Sequence, residues 1–479
     1  MTRIEQPNEA RSHVAGDLTG HVARYILSRR YESWSADAVE KIRVHLYDTL
    51  LAIVSGHDLP AGKHAATYVE EYGTTDRPGG RVLGTDATLP PEVAAMVNGT
   101  LAHADETDDT SELARMHPGA SIIPAALAVA GPAGATGREV LNAILTGYQV
   151  GIAFPLAIWA EPHERMHCSR TSHNAGQVMG AVAAAGVLMG LDETRMRYAL
   201  SYAAQQSSGI NSLYRDSHHV EKAYVFGGLP AAQGVQAATL ARLGFTGVVD
   251  ILDRSVNLFD SYEGRSNPAA LPGLLEDPAG GVFAADIKLY PVGLPIQAAA
   301  QAMGQLLAQS PIDPSKIASV TCHLPSQKAF VVDDRDMPAI CLQYILAAMI
   351  EDGGLTFENS HDQIRLNHSR GTGLMSRVAL VHDAALDPVE RTGSRNRAVV
   401  RITFNDGSEQ VARVDALSGT RFAPATWDDM ERKTTMVFGR NHATRLNPLR
   451  ERVLGFESVE FAQDGAAPFY EALILGRNP

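Results

Sequence analysis

The most literal chemical motif in the chain is His163-Glu164-Arg165-Met166-His167, which has HExxH spacing. On a helix this spacing puts two imidazoles on one face to hold zinc, with the glutamate as base. Here Pro162 directly precedes the first histidine, charged Arg165 sits inside the motif, and no third-ligand pattern follows. A polar loop is therefore expected, and a zinc-dependent hydrolase using His163, Glu164 and His167 is the alternative reading. A second acidic run, Asp108-Asp109-Thr110-Ser111-Glu112, has the look of a magnesium-binding motif that serves carbocation chemistry. Such chemistry needs an aromatic-lined cavity, and aromatics are only 6% of the chain. Nor is it a calcium loop. Counted from Asp105, the position that requires Gly is Thr110 and the position that requires Glu is Met116.

A third set is dispersed along the chain: His103, Asp105, Glu106 and Thr110, then His117-Pro118-Gly119, then Lys222, then Lys288. Singly, each is weak. A lone lysine is usually a solvated surface group, and a lone histidine is more often part of the packing than a catalyst. Together they supply cations for an anionic ligand and candidate acids and bases for proton transfer. No Gly-rich phosphate cradle or dinucleotide fingerprint competes with this set, because Gly227-Gly228 opens an Ala-rich helix with no strand before it.

These residues need a scaffold, and the first half of the chain reads as helices. Asp17 caps a helix to about residue 29, and Ser35 caps another with Val39, Ile42, Leu46 and Leu50 at helical spacing. Helices follow at about 91–103, 120–131, 138–158, 175–190, 193–208 and 227–243. They are rich in Ala and Gly, which lets them approach closely. Near Pro268 the pattern changes. Strands are expected at 318–323, 376–382, 398–404 and 410–414, the last pair joined by an Asn405-Asp406-Gly407 turn, with helices at about 293–309 and 338–352 between them. Helices near 426–437 and 447–456 close the chain. The expected fold is mainly α with an α+β second domain: residues 1–270 a large helical domain, 271–410 a smaller α+β lid, and 411–479 a tail packing back on the helical domain.

The 479-residue chain carries a formal net charge of -13, with 45% hydrophobic and 20% charged residues. That is the composition of a globular protein that repels nucleic acid and anionic lipid. The most apolar stretch, 175–191, is shorter and richer in Ala and Gly than a membrane span. Cys168, Cys322 and Cys341 have no metal-ligand spacing, and the N-terminus has no signal-peptide pattern. A cytoplasmic protein is expected.

Several ordered segments resemble the MmgE/PrpD family, which includes 2-methylcitrate dehydratase, cis-aconitate decarboxylase and iminodisuccinate epimerase. They are Asn98-Gly-Thr-Leu-Ala-His103 with the acidic cluster ending in Asp-Asp-Thr, His117-Pro-Gly, the Ala-rich run from Gly180 to Leu191, Lys222 before Gly227-Gly-Leu-Pro, Lys288 in Ile-Lys-Leu-Tyr-Pro, and Gln343-Tyr344. The resemblance implies a helical domain with an α+β lid, a homodimer, no required cofactor or metal, and active-site roles for Thr110, His117, Lys222, Lys288 and Tyr344. Two positions depart from the family pattern. The first acidic position is Glu106 unless Asp105 takes its role, and Thr171 stands where the family commonly has a histidine, with His173 two residues on.

The family reactions share a carbanion beside a carboxylate, which fixed cations must stabilise. Lys222 and Lys288 are expected to grip substrate carboxylates, assisted by Thr110, His173 and His103. His117 is the first choice of base, with Glu106 or Asp105 orienting it or acting as partner acid, and Tyr344 as a proton donor from the lid. The expected activity is a lyase or isomerase acting on a small di- or tricarboxylate: dehydration first, then epimerisation or decarboxylation. A catalytically degenerate binding protein is a further alternative.

Overall fold

The structure is a computed structural model that describes residues 16–74, 78–159, 170–216, 218–262, 266–388, 393–462 and 465–477. The HExxH segment and Cys168 lie outside the described residues. The N-terminal half is a stack of helices: Leu18–Ser28, Ala36–Gly56, Pro60–Tyr72, Pro91–Ala102, Pro118–Ala133, Gly137–Ile158, His173–Leu188, Glu193–Gln206 and Leu229–Arg242. Local chemistry sets their starts. Asp17 and Ser35 accept from the backbone N–H of Gly20 and Ala38, and Thr136 with Glu139 forms a reciprocal capping box.

Small residues set the packing distances. A Cβ on Gly227 would lie 2.0 Å from the Gly99 carbonyl oxygen, and one on Gly176 would lie 2.5 Å from that of Gly151. Helix Gly137–Ile158 is long and apolar enough to cross a membrane, but 94% of its apolar window is buried inside the protein. It is therefore a central core helix.

The second lobe holds a four-stranded sheet in the order Val378–Asp383, Ile317–Pro325, Ala398–Phe404, Glu409–Val414. The first pair is parallel and the other two are antiparallel. Helices Gln297–Gln309 and Leu342–Asp352 pack with it around a second apolar core that runs from Val292 to Leu417.

The change of core falls later than the proline-rich stretch at 268 suggested. Leu271, Leu275, Val282, Ala284, Ala285 and Ile287 all belong to the first core. This stretch is tied to the central helix by Gln149, whose Nε2 donates to the Leu274 carbonyl at 2.9 Å. The chain returns to the first core at Met430, Leu446, Leu449 and Phe469, through helices Trp427–Ala443, Asn447–Leu454 and Ala467–Arg477. Residues 288–291 thus pass from one core to the other, and Lys288 is among them.

Candidate active site

The site is built on the turn between helices Pro91–Ala102 and Pro118–Ala133. His103 ends the first helix and His117 caps the start of the second. Every residue from His103 to Ser111 is buried. Such a run of acids can be buried only if each carboxyl is paired, hydrogen-bonded or protonated.

Asp109 is the structural anchor. Its Oδ2 receives His45 Nδ1 and the Tyr148 hydroxyl, both at 2.7 Å, and its Oδ1 receives the Gly119 N–H at 2.8 Å. It therefore caps the helix that follows His117. Thr110 pairs with Asp286 through two backbone hydrogen bonds of 2.9 and 2.6 Å. That bridge carries Lys288, two residues on, into the acidic turn. From the tail helix, Lys433 reaches Asp48 and the Thr107 carbonyl, the latter at 2.6 Å.

Asp108 is the centre of the site. Its Oδ2 faces His103 Nδ1 at 2.8 Å and His117 Nδ1 at 3.2 Å, while its Oδ1 accepts from Lys288 Nζ at 3.0 Å. Burial opposes its ionisation, but the His103 ring, Lys288 and His117 outweigh burial and hold the carboxyl well below its usual range. Glu106 pairs with Lys222 and lies 3.4 Å from Lys288 Nζ. Burial would raise its pKa too, and the two lysines pull it well below instead. The two acids and two lysines therefore cancel in charge. Lys288 is fully buried and held by both acids, and Lys222 is 16% exposed. In this conformation the expected basic pocket is a neutral, ion-paired floor.

The histidines provide the reactive surface. The His103 and His117 ring centroids are 4.4 Å apart, His103 and His219 5.2 Å, and His117 and His173 6.3 Å. Phe226 stacks on His173 at 4.3 Å. His173 thus joins the cluster, and Thr171 supports it by a 2.8 Å hydrogen bond between its hydroxyl and His173 Nδ1.

His117 Nδ1 also lies 3.0 Å from the Asp109 carbonyl oxygen. A carbonyl only accepts, so Nδ1 carries a proton, and the ring's other nitrogen, Nε2, is the one left for proton transfer. His103 Nδ1 likewise serves ionised Asp108, and its buried Nε2 has no hydrogen-bond partner among the described residues. Burial pushes His103 down to about 4 despite Asp108, and keeps His173 and His219 well below their ordinary value, so all three rings are neutral near pH 7. Rings fixed through Nδ1 and bare at Nε2 can take a proton from a substrate carbon and return it.

His103, Asp108 and His117 also offer ligand atoms within 4.8 Å of one another. Both Nδ1 atoms already lie on Asp108 Oδ2, and Lys288 is on its Oδ1. A dication there would have to share one carboxylate with a buried ammonium.

The structure brings together His103, Glu106, Asp108, His117, His173, Lys222 and Lys288. Asp105 is adjacent: Thr107 holds its Oδ1 through N–H and hydroxyl donors at 2.8 and 2.7 Å, and its Oδ2 faces His361 of the second lobe at 4.0 Å. Thr110 turns its hydroxyl back to the Met116 carbonyl at 3.3 Å. Tyr344 does not join the cluster as expected. It is buried in the second core, with its hydroxyl donating to the Asn359 carbonyl at 2.6 Å. Its ring is amphipathic, and the site it satisfies is inside its own lobe.

Sequence reasoning missed His219, Phe226, His45, Tyr148, Lys433 and His361. His45 carried a signal, because it falls beside Ile42 and Leu46 on the apolar face of its helix. His219 stands three residues before Lys222 and one helical turn away. His361 carried none.

Comparison with known proteins bears on the family of the whole chain. The model of the MmgE/PrpD N-terminal domain matches residues 20–270, and that of the MmgE/PrpD C-terminal domain matches 290–448. The cis-aconitate decarboxylase of Homo sapiens is 26% identical over 365 residues, 73% of each chain. That of Mus musculus is 26% identical over 365 residues, 73% of this chain and 72% of its own. A cis-aconitate decarboxylase-like protein of Aspergillus oryzae, oryM, is 25% identical over 267 residues, 52% of this chain and 53% of its own. With both family domains matched in order over most of its length, this chain belongs to the MmgE/PrpD family.

Proposed function

We propose that this protein is a lyase that moves a proton at the carbon next to a carboxylate of a small di- or tricarboxylate. One observation carries the reading: His117 is held at Nδ1 by the Asp109 carbonyl and Asp108, which leaves Nε2 for proton transfer on a ring packed among His103 and His173 beside paired acids and lysines. Substrate carboxylates would enter this neutral floor by taking Lys222 from Glu106 and by drawing protons onto the histidines. Lys288, locked between two acids, would fix their positions and lend its field. Neither a hydride nor a phosphoryl transfer needs such an arrangement.

Among the reactions that share this proton step, decarboxylation takes first place because the named relatives are cis-aconitate decarboxylases. In decarboxylation the C–C bond breaks, carbon dioxide leaves, and a histidine that gained its proton on substrate binding delivers it to the carbanion. Dehydration and epimerisation begin instead with His117 taking the proton, after which water leaves or the proton returns to the other face. We further propose a homodimer, in support of which the segment 243–256 leaves Leu243, Phe245, Val248, Val249 and Val256 exposed. The test is turnover of a panel of di- and tricarboxylates, cis-aconitate first, after exhaustive chelation. Turnover that persists supports the reading. Turnover lost with a removed zinc ion and restored by it would favour the hydrolase-type site instead.

A further inference from the structure

Two buried polar atoms face each other across the junction of the lobes, and neither has a hydrogen-bond partner among the described residues. One is Asp105 Oδ2, from the helical domain, and the other is His361 Nε2, from the second lobe. They are 4.0 Å apart. That is too far for a hydrogen bond, and it leaves each atom within about 2.8 Å of one oxygen placed between them. Native proteins rarely leave such groups unsatisfied, so a pair of them aimed at one point marks a binding position.

Both side chains are fixed by their other atoms. Thr107 occupies Asp105 Oδ1. His361 Nδ1 lies 2.9 Å from the Phe357 carbonyl and 3.0 Å from the Ser360 hydroxyl, and its ring stacks on Phe357 at 4.2 Å. The arm that carries it is rigid. Thr356 and Asn359 form a reciprocal cap, Asn359 Nδ2 donates to Asp352 at 2.9 Å, and the Tyr344 hydroxyl holds the Asn359 carbonyl. Tyr344 is thus a positioning residue for this arm.

We propose that His361 is a substrate-contacting residue contributed by the second lobe, which together with Asp105 holds one carboxylate or hydroxyl oxygen of the bound polycarboxylate. This rests on the function proposed above. Because Nδ1 donates to a carbonyl, Nε2 accepts from a substrate hydroxyl when the ring is neutral and donates to a carboxylate when it is protonated. Burial raises the Asp105 pKa, which favours a protonated carboxyl able to donate to the same oxygen. The lobes would then meet through the substrate itself.

The probe is tricarballylate, a saturated tricarboxylate with no reactive double bond, titrated calorimetrically into the full-length protein. His361→Asn keeps a donor near the Nδ1 position and removes the Nε2 end. His361→Gln places a donor near Nε2 and gives up Nδ1. The inference expects the Asn variant to lose about ten-fold or more in affinity, as for one hydrogen bond to a charged group, and the Gln variant to keep most of it. A purely structural role through Nδ1 gives the reverse order, and that order would overturn the inference. So would an Asn variant that binds like the wild type. In the unmodified protein with 15N-labelled histidine, saturating tricarballylate should shift the His361 ring resonances, assigned by their loss in His361→Gln. Unchanged His361 resonances at saturating ligand would contradict it in the wild-type chain itself. If the wild type neither binds tricarballylate nor turns over cis-aconitate, the functional reading fails as well. If it does both and His361→Asn is unaffected, only this inference fails.

Discussion

At the residue scale, charge and geometry assign different work to the two lysines that the sequence treated alike. Lys288 has no exposed surface and neutralises both Glu106 and Asp108. Lys288→Met should therefore destabilise the fold by about 3–5 kcal/mol, the cost of leaving buried carboxylates uncompensated. Lys222, with 16% of its side chain exposed and Glu106 as its acidic partner, should lose activity much more than stability when changed to Met. Urea melts beside turnover assays separate these outcomes; equal melting midpoints for both variants would contradict the distinction. His117→Ala should lower turnover by roughly 10²–10⁴-fold, as for a general base, with its melting temperature nearly kept. The dispersed acids, histidines and lysines were legible because the family pattern orders them. The pairing was not, because which lysine meets which acid depends on where residues 286–288 cross the acidic turn. Tyr344 shows the same limit: its type suited a proton donor, and only packing reveals that its hydroxyl is occupied by Asn359.

At the element scale, two contacts hold the turn in place. Helix Pro91–Ala102 crosses residues 224–228 where Gly99 and Gly227 meet backbone to backbone. Gly227→Ala would force a Cβ to within 2.0 Å of a carbonyl oxygen. It should cost about 1–3 kcal/mol and displace Lys222 and Phe226 with it, seen as a lower melting temperature together with lost activity. The second contact is the Thr110–Asp286 bridge. Burial, reinforced by repulsion from Glu112 and opposed by Lys41, pushes the Asp286 carboxyl up to about 7. A raised folded-state pKa means the folded state holds a proton that the unfolded state has released. Its stabilisation is complete below the unfolded value of about 4 and is lost as pH rises through about 7. Asp286→Asn should remove that loss, so the stability of the variant relative to wild type should rise by roughly 1–3 kcal/mol between about pH 5 and pH 8 in urea melts. A pH-independent difference would mean Asp286 is ionised throughout. Helix starts at Asp17, Ser35 and Pro91 and the strands around Asn405-Asp406-Gly407 were readable from local rules. The segment 271–287 was not, since its prolines signal a junction while its leucines pack on the helical core.

At the scale of the whole molecule, two apolar cores are joined by a buried strand-like crossing at Lys288, and the tail returns to lock the first through Lys433. The site draws on all three parts: Lys288 enters the acidic turn from the crossing, Lys433 reaches it from the tail, and His361 faces Asp105 from the second lobe. Light scattering should give about twice the 51.3 kDa chain mass if segment 243–256 is covered by a second copy. The proposed activity of the whole molecule is proton movement on a carbon beside a carboxylate. The most direct test is incubation with cis-aconitate in deuterated, chelator-treated buffer, followed by proton and carbon NMR against the His117→Ala variant. The expected result is product with deuterium at one carbon next to a carboxylate, together with carbon dioxide if decarboxylation is the net reaction, and at least about a hundred-fold less of both in the variant. Turnover undiminished in the His117 variant, or no exchange and no product from cis-aconitate or any other di- or tricarboxylate, would contradict it.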